Sequence, residues 1–412
     1  MTTLIDQLRV HADEFTVLRR DIHRHPELGF AEFRTGDLVA ERLASWGYRV
    51  ERGLGGTGVV GQLTRGTGTR RIGLRADMDA LPIIEATGLA HASSYPGVMH
   101  ACGHDGHTTM LLAAARHLAL HGAFDGTLNL IFKPAEEGLG GAKKMMEDGL
   151  FTKFPCDAVF AMHNMPGQRQ GRFTLRDGAS MASSDYVTIT LDGTGGHGAM
   201  PHLAADTVVA GAAIVMALQS IVARNIDPLH TAVITVGAFN AGTANNVIPQ
   251  TATLKLSVRA LDHEVRATLE RRIHELVQAQ AQSFGVRAQV DYQRGYPVLV
   301  NTANETAFAR AVALELAGAE QVESHGRPLT GSEDFAFMLE QVPGCYLLIG
   351  NGDGSAQDGD GGRNAGHGAC MVHNPGYDFN DHNLPIGAAY WVLLTERFLP
   401  ATADRAAAGA RI

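Results

Sequence analysis

At 412 residues, 45% of them apolar and 19% charged, the chain is long enough for more than one hydrophobic core and has an ordinary globular composition. A formal charge of −9 leaves no basic stripe to neutralise phosphates, which argues against nucleic acid as the natural partner. Four cysteines, Cys102, Cys156, Cys345 and Cys370, are too sparse for a disulfide framework and fit a reducing compartment.

The N-terminal stretch MTTLIDQLRVHADEFTVLRRDIH alternates acidic and basic residues around a helical apolar period and lacks the uninterrupted apolar stretch of a signal peptide. The longest apolar run, VVAGAAIVMAL at 208–218, is far shorter than the ~20 residues that span a bilayer. A cytoplasmic protein without a membrane partner is the expectation.

RIGLRA (71–76), TLNLIF (127–132) and DAVFAM (157–162) read as short strands, and LLAAARHLAL (111–120) and GGAKKMMEDG (140–149) as helices between them. That alternation predicts an α/β domain with a largely parallel sheet. The rhythm then changes. YVTITL (186–191), AVITVGAF (232–239), TATLKLSVRA (251–260) and VRAQVDY (286–292) read as strands, while 204–225 and 263–284 read as helices. The order β-α-β-β-α-β is the split ferredoxin-like unit, which can fold by itself. Helix and strand signals resume with ETAFARAVALELAG (305–318) and CYLLIG (345–350). We therefore expect a discontinuous α/β catalytic domain over 1–182 and 297–412, interrupted by a lid-like domain over 183–296. The glycine-rich stretch 350–369 reads as a flexible loop without a calcium-loop pattern, and the tail 401–412 as frayed.

The chemistry-bearing residues cluster near predicted strand ends: Asp77 and Asp79 in RADMDALP, Glu136 and Glu137 in FKPAEEG, and His163 in AMHNMP. Cys102 and His104 lie in MHACGHDGH at the mouth of a helix, and His373 follows far downstream in MVHNPGYDFND. In open α/β sheets, ligands bind outside the carboxyl ends of strands, so such groups can converge on one cleft. Thiolate, imidazole and carboxylate are the usual zinc ligands, and of two adjacent glutamates one can bind metal while the other moves protons. Taken singly, each signal has a plainer reading. A buried cysteine is commonly a small hydrophobe, a histidine-rich turn is commonly solvated surface, and a Glu-Glu pair before a helix complements its dipole. Five such signals at separate strand ends favour the metal reading.

RADMDALPI, MHACGHDGH, FKPAEEGLGGAKKM, GGHGAMPH, NNVIP, GSEDF and HNPGYDFND, in this order, resemble the M20 metallopeptidase family. The branch they are most similar to is the amidohydrolases that include hippurate and indoleacetyl-amino-acid hydrolases. The resemblance runs from HRHPELGF (23–30) to about 385 and implies a metallo-aminopeptidase-like catalytic domain with an inserted dimerisation domain. It implies two divalent metal ions held by Cys102, His104, Glu137, His163 and His373, with Cys102 bridging; by donor chemistry zinc suits the thiolate, with manganese, cobalt or nickel as alternatives. Glu136 would be the general base, Asp79 a supporting group beside the site, and Asp77 a support rather than a ligand. His197, Asn246 and Arg259 match positions that touch substrate in relatives. The plainer readings are a turn before Pro249 for Asn246 and a strand-end ion pair for Arg259.

The expected activity is hydrolysis of N-acyl amino acids by a homodimer or dimer-based oligomer. A dipeptidase or carboxypeptidase, an N-acetyl-diaminopimelate deacetylase, and a catalytically silent metal- or ligand-binding protein are the rivals. Serine-nucleophile chemistry is disfavoured by the lack of a G-x-S-x-G elbow.

Overall fold

The computed structural model describes residues 3–352 and 370–401, so the expectations for 353–369 and 402–412 lie outside the described residues. The chain forms two units. One comprises Met1–Gly178, Asn301–Arg327 and Phe337–Ile412; the other comprises Ala179–Val300 and Pro328–Ala336.

The first unit is built on an eight-stranded sheet. Its middle strands run in the order Gly126–Lys133, Arg71–Asp77, Ala158–Arg169 and Gly344–Gly352, each parallel to its neighbour. Strands of this kind are covered on both faces and read as near-continuous apolar runs, which is why RIGLRAD is buried after its first residue. Because the strands are parallel, their carboxyl ends emerge on one edge, where Asp77 lies opposite Lys133.

Arg49–Leu54 and Gly58–Arg65 add an antiparallel flank that the sequence did not suggest, since RVERGL is half exposed and polar. Gly350–Gly352, expected to begin a loop, instead complete the strand Gly344–Gly352, which is buried throughout. Two helices form much of the core on this sheet. His104–His121 is buried on nearly every face over its first twelve residues, and Leu384–Phe398 packs against it. A helix apolar all round is a core helix, and its lack of polar faces conceals the usual amphipathic signal.

In the second unit the antiparallel order is Ala232–Ala241, Thr251–Ala260, Ser183–Asp192 and Arg287–Arg294, the ferredoxin-like arrangement. Val187, Ile189 and Leu191 alternate inward against the helices Thr207–Asn225 and His263–Ser283. Asp206 and Asp262 cap those helices by accepting backbone N–H bonds. The apolar run expected to be too short for a bilayer belongs to the longer helix Thr207–Asn225, which by length and composition is long and apolar enough to cross one. Its Ala210, Ile214, Leu218 and Ile221 are buried in this unit's own core, whereas Val208, Val209 and Met216 are exposed.

Candidate metal centre

The metal-side residues all come together in the first unit. Asp77 ends its strand, Asp79 follows two residues later, and Glu136 and Glu137 sit in the turn after Gly126–Lys133. His163 lies within Ala158–Arg169, and His104 opens the core helix. Gly103 precedes that helix at φ +84°, and a Cβ there would come within 2.3 Å of Tyr377 Oη and 2.4 Å of Asn164 Nδ2. Only glycine fits both that backbone and that approach. His373 itself holds a left-handed φ of 68°, tied by its N–H to Ala101 O at 2.7 Å.

Two sets of donor atoms share one sulfur. Cys102, His104 and His163 form one trio; Cys102, Glu137 and His373 form another; within each, the donor atoms lie within 4.8 Å of one another. Cys102 Sγ is 3.4 Å from His163 Nε2, and His373 Nε2 is 3.2 Å from Glu137 Oε1. The other ring nitrogens are occupied. His104 Nδ1 donates to Asp79 O at 2.8 Å, and His163 Nδ1 donates to Asn164 O at 2.6 Å, so both rings present Nε2. His104 Nε2 is buried without a hydrogen-bond partner and Glu137 Oε1 is buried beside His373 Nε2, so a cation here would satisfy a nitrogen that the surrounding protein leaves unpaired. The residues present thus fit a divalent metal.

Burial lowers His163 well below the usual imidazole range, with His107 adding to it, so the ring is in its neutral, ligating form. Burial, reinforced by Glu137, pushes the Cys102 thiol well up, and an adjacent cation is what turns such a thiol into a thiolate.

Asp79 touches both sides of the centre. Its Oδ1 is 3.2 Å from His104 Nδ1 and its Oδ2 accepts the Glu137 N–H at 2.9 Å. Burial opposes its charge, but His104, Lys133 and that N–H hold the carboxyl at about 2. Asp77 pairs with Arg75 at 2.8 Å and with His107 Nδ1 at 2.7 Å. Asp77, His104 and His107 form a further candidate trio, but His107 is already engaged on both sides, since its Nε2 accepts the Asn164 N–H at 2.9 Å. Glu136 is buried, and one of its oxygens groups with His104 and Glu137.

Three contributors were missed in the sequence. His107 was quoted but given no role, although its spacing from His104 puts both on one helix face. Asn164 donates from Nδ2 to Cys102 O at 2.7 Å and accepts Tyr377 Oη at 2.8 Å, fixing the cysteine loop. Nothing local distinguishes Asn164 or Tyr377 except adjacency to a histidine motif.

His197, Asn246 and Arg259 lie in the second unit. His197 pairs with Val247 across a two-residue ladder, and Gly198 N donates to Asn246 O at 2.8 Å, so the two site candidates are neighbours. The His197 ring is exposed and accepts the Ala199 N–H at 3.1 Å through Nδ1. Arg259 donates to two hydroxyls, from Nη1 to Ser332 Oγ at 3.0 Å and from Nε to Ser257 Oγ at 3.3 Å.

A parallel α/β sheet that gathers thiolate, imidazole and carboxylate donors at its strand ends has the make-up of a divalent-metal hydrolase. The chain belongs to peptidase family M20/M25/M40, whose model matches residues 73–397. It is 46% identical to a hippurate hydrolase of Campylobacter jejuni, over 96% of this chain and 99% of that protein. It is 38% identical to IAA-amino acid hydrolase ILR1-like 5 of Arabidopsis thaliana, over 93% of this chain and 86% of that protein. Among solved structures it is similar to a Bacillus subtilis protein described as a dinuclear metal binding peptidase of family M20. The TM-score is 0.79 at 28% identity, covering 96% of this chain and all of that one.

Proposed function

We propose that the chain is a metal-dependent amidohydrolase that splits N-acyl amino acids into a carboxylate and a free amino acid. The observation that carries this reading is a buried carboxylate, Glu136, placed beside two donor trios that share Cys102. The similarity to a hippurate hydrolase and an IAA-amino acid hydrolase supports the substrate class, and the dinuclear neighbour supports two metals per chain.

Cys102, His104 and His163 would hold one ion, and Cys102, Glu137 and His373 the other. Divalent ions bound there supply an acidified water and polarise the acyl carbonyl. Glu136 removes the proton from the attacking water and returns it to the leaving amine nitrogen, so the amide C–N bond breaks without a charged amide leaving group. Asp79 fixes the His104 tautomer and pins the Glu137 backbone, keeping the ligands in place. On the family resemblance, His197 donates to the developing oxyanion, Asn246 and Arg259 contact substrate, and the second unit pairs two subunits. Zinc suits a thiolate ligand, and manganese, cobalt and nickel also suit the mixed donor set.

The test is mass-spectrometric screening of N-benzoyl, N-acetyl and indoleacetyl amino acids against dipeptides, with each metal added in turn. Release of a free amino acid from the N-acyl compounds is expected. Turnover of dipeptides alone would replace this reading with a peptidase.

A further inference from the structure

The segment Glu27–Glu32, ahead of the helix Phe33–Ser45, runs alongside both turns that carry the acidic site residues. Glu27 O accepts the Ala80 N–H at 2.8 Å, next to Asp79. Glu32 is fully buried, and its Oε1 accepts the Ala135 N–H at 2.8 Å, next to Glu136. The other oxygen of Glu32 accepts the Thr57 hydroxyl. The segment is itself pinned, because the Glu27 carboxylate accepts the Arg34 and Thr35 N–H groups at 2.9 and 2.8 Å.

Ala135 needs holding. It sits at φ +54°, a left-handed backbone that costs an alanine free energy and that no local glycine relieves. Packing leaves little slack, since a Cβ on Gly29 would lie 3.0 Å from Ala135 Cα. Downstream, Ala135 O accepts the Gly141 N–H at 3.0 Å, and the Glu137 N–H is taken by Asp79. Glu136 is therefore bracketed by two backbone N–H groups, each received by a buried carboxylate. Asp79 belongs to the metal centre; Glu32 stands in none of the donor groups found among the described residues and serves none of the roles assigned above.

We propose that Glu32 is a positioning residue for the general base, its carboxylate locking Ala135 in the left-handed conformation that aims Glu136. This rests on the reading of Glu136 as base. Without an acceptor, the buried Ala135 N–H is left unpaired and the turn relaxes toward ordinary φ values, displacing Glu136. A misplacement of about 1 Å at a reacting group is worth up to ~10²-fold in rate.

Three variants separate reach from charge. Glu32→Gln keeps an oxygen at the same reach without the charge, Glu32→Asp keeps the charge without the reach, and Glu32→Ala keeps neither. With metal content measured by elemental analysis and folding by thermal melts, kcat and KM are compared on the N-acyl amino acid cleaved fastest. The expected order is wild type and Glu32→Gln within about threefold of each other, with Glu32→Asp and Glu32→Ala lower in kcat by ~10–100-fold at little-changed KM and metal content. Thr57→Val, which leaves the Ala135 bond intact, is expected to stay within about threefold of wild type. Should Glu32→Ala fail to fold, the order of the Gln and Asp variants still decides. Glu32→Asp as active as wild type, or Glu32→Gln as impaired as Glu32→Asp, overturns the proposal. A Glu136→Gln control separates the two levels: if it is inactive while every Glu32 variant is active, the positioning role alone falls, whereas an active Glu136→Gln removes the base on which it rests.

Discussion

Glu136→Gln is expected to retain its full metal content and to lose turnover by ~10²–10⁴-fold, the usual contribution of a general base. Glutamine has the shape of glutamate but cannot accept the water proton. Metal retention is the discriminating half of the result. It is Glu137, not Glu136, whose oxygen joins Cys102 and His373, and Glu137 is held independently by its N–H to Asp79. Elemental analysis and steady-state kinetics on the purified variant check both halves. Retention of more than about a tenth of wild-type kcat rules out the base role.

Cys102→Ser is expected to lower metal occupancy and activity together, because the same sulfur belongs to both trios and a serine hydroxyl is a far weaker ligand than a thiolate. The other cysteines provide internal controls. Burial raises the thiols of Cys156 and Cys345 to about 12, which makes them inert, and Cys370 stands in none of the donor groups found among the described residues. Serine at any of these three is expected to leave metal content unchanged. Thiol oxidants are expected to inactivate the enzyme, with bound metal protecting it. If Cys102→Ser binds two metals as tightly as the parent, the shared-thiolate arrangement is wrong.

What could be read in the sequence and what could not follow from how each signal arises. RIGLRA, TLNLIF and DAVFAM were legible as parallel strands because burial on both faces leaves unbroken apolar runs. The second unit was legible because a one-sided antiparallel sheet alternates, as Val187, Ile189 and Leu191 do. Arg49–Leu54 escaped because an exposed edge strand has neither pattern. Of the site, the ligand candidates were legible as residue types at strand ends. The groups that orient them were not. Asn164 matters through an amide that reaches Cys102 O and Tyr377 Oη, and Glu32 through a bond to Ala135, about a hundred residues away in the chain. Such roles are properties of long-range contact and leave no local period. The left-handed φ of Ala135 and His373 is likewise invisible in sequence, since neither is the glycine or asparagine that usually marks it.

The central claim is that a metal centre sharing Cys102 hydrolyses N-acyl amino acids. It is tested most directly by stripping the protein with a chelator and titrating back zinc or manganese. Bound metal per chain and hydrolysis of N-benzoylglycine are followed in the same samples. The expected result is an inactive stripped chain that takes up two equivalents, with glycine release rising as the bound metal approaches two. Glycine release that is undiminished in the stripped chain, or a chain that binds two equivalents and cleaves no N-acyl amino acid in the panel, would contradict it.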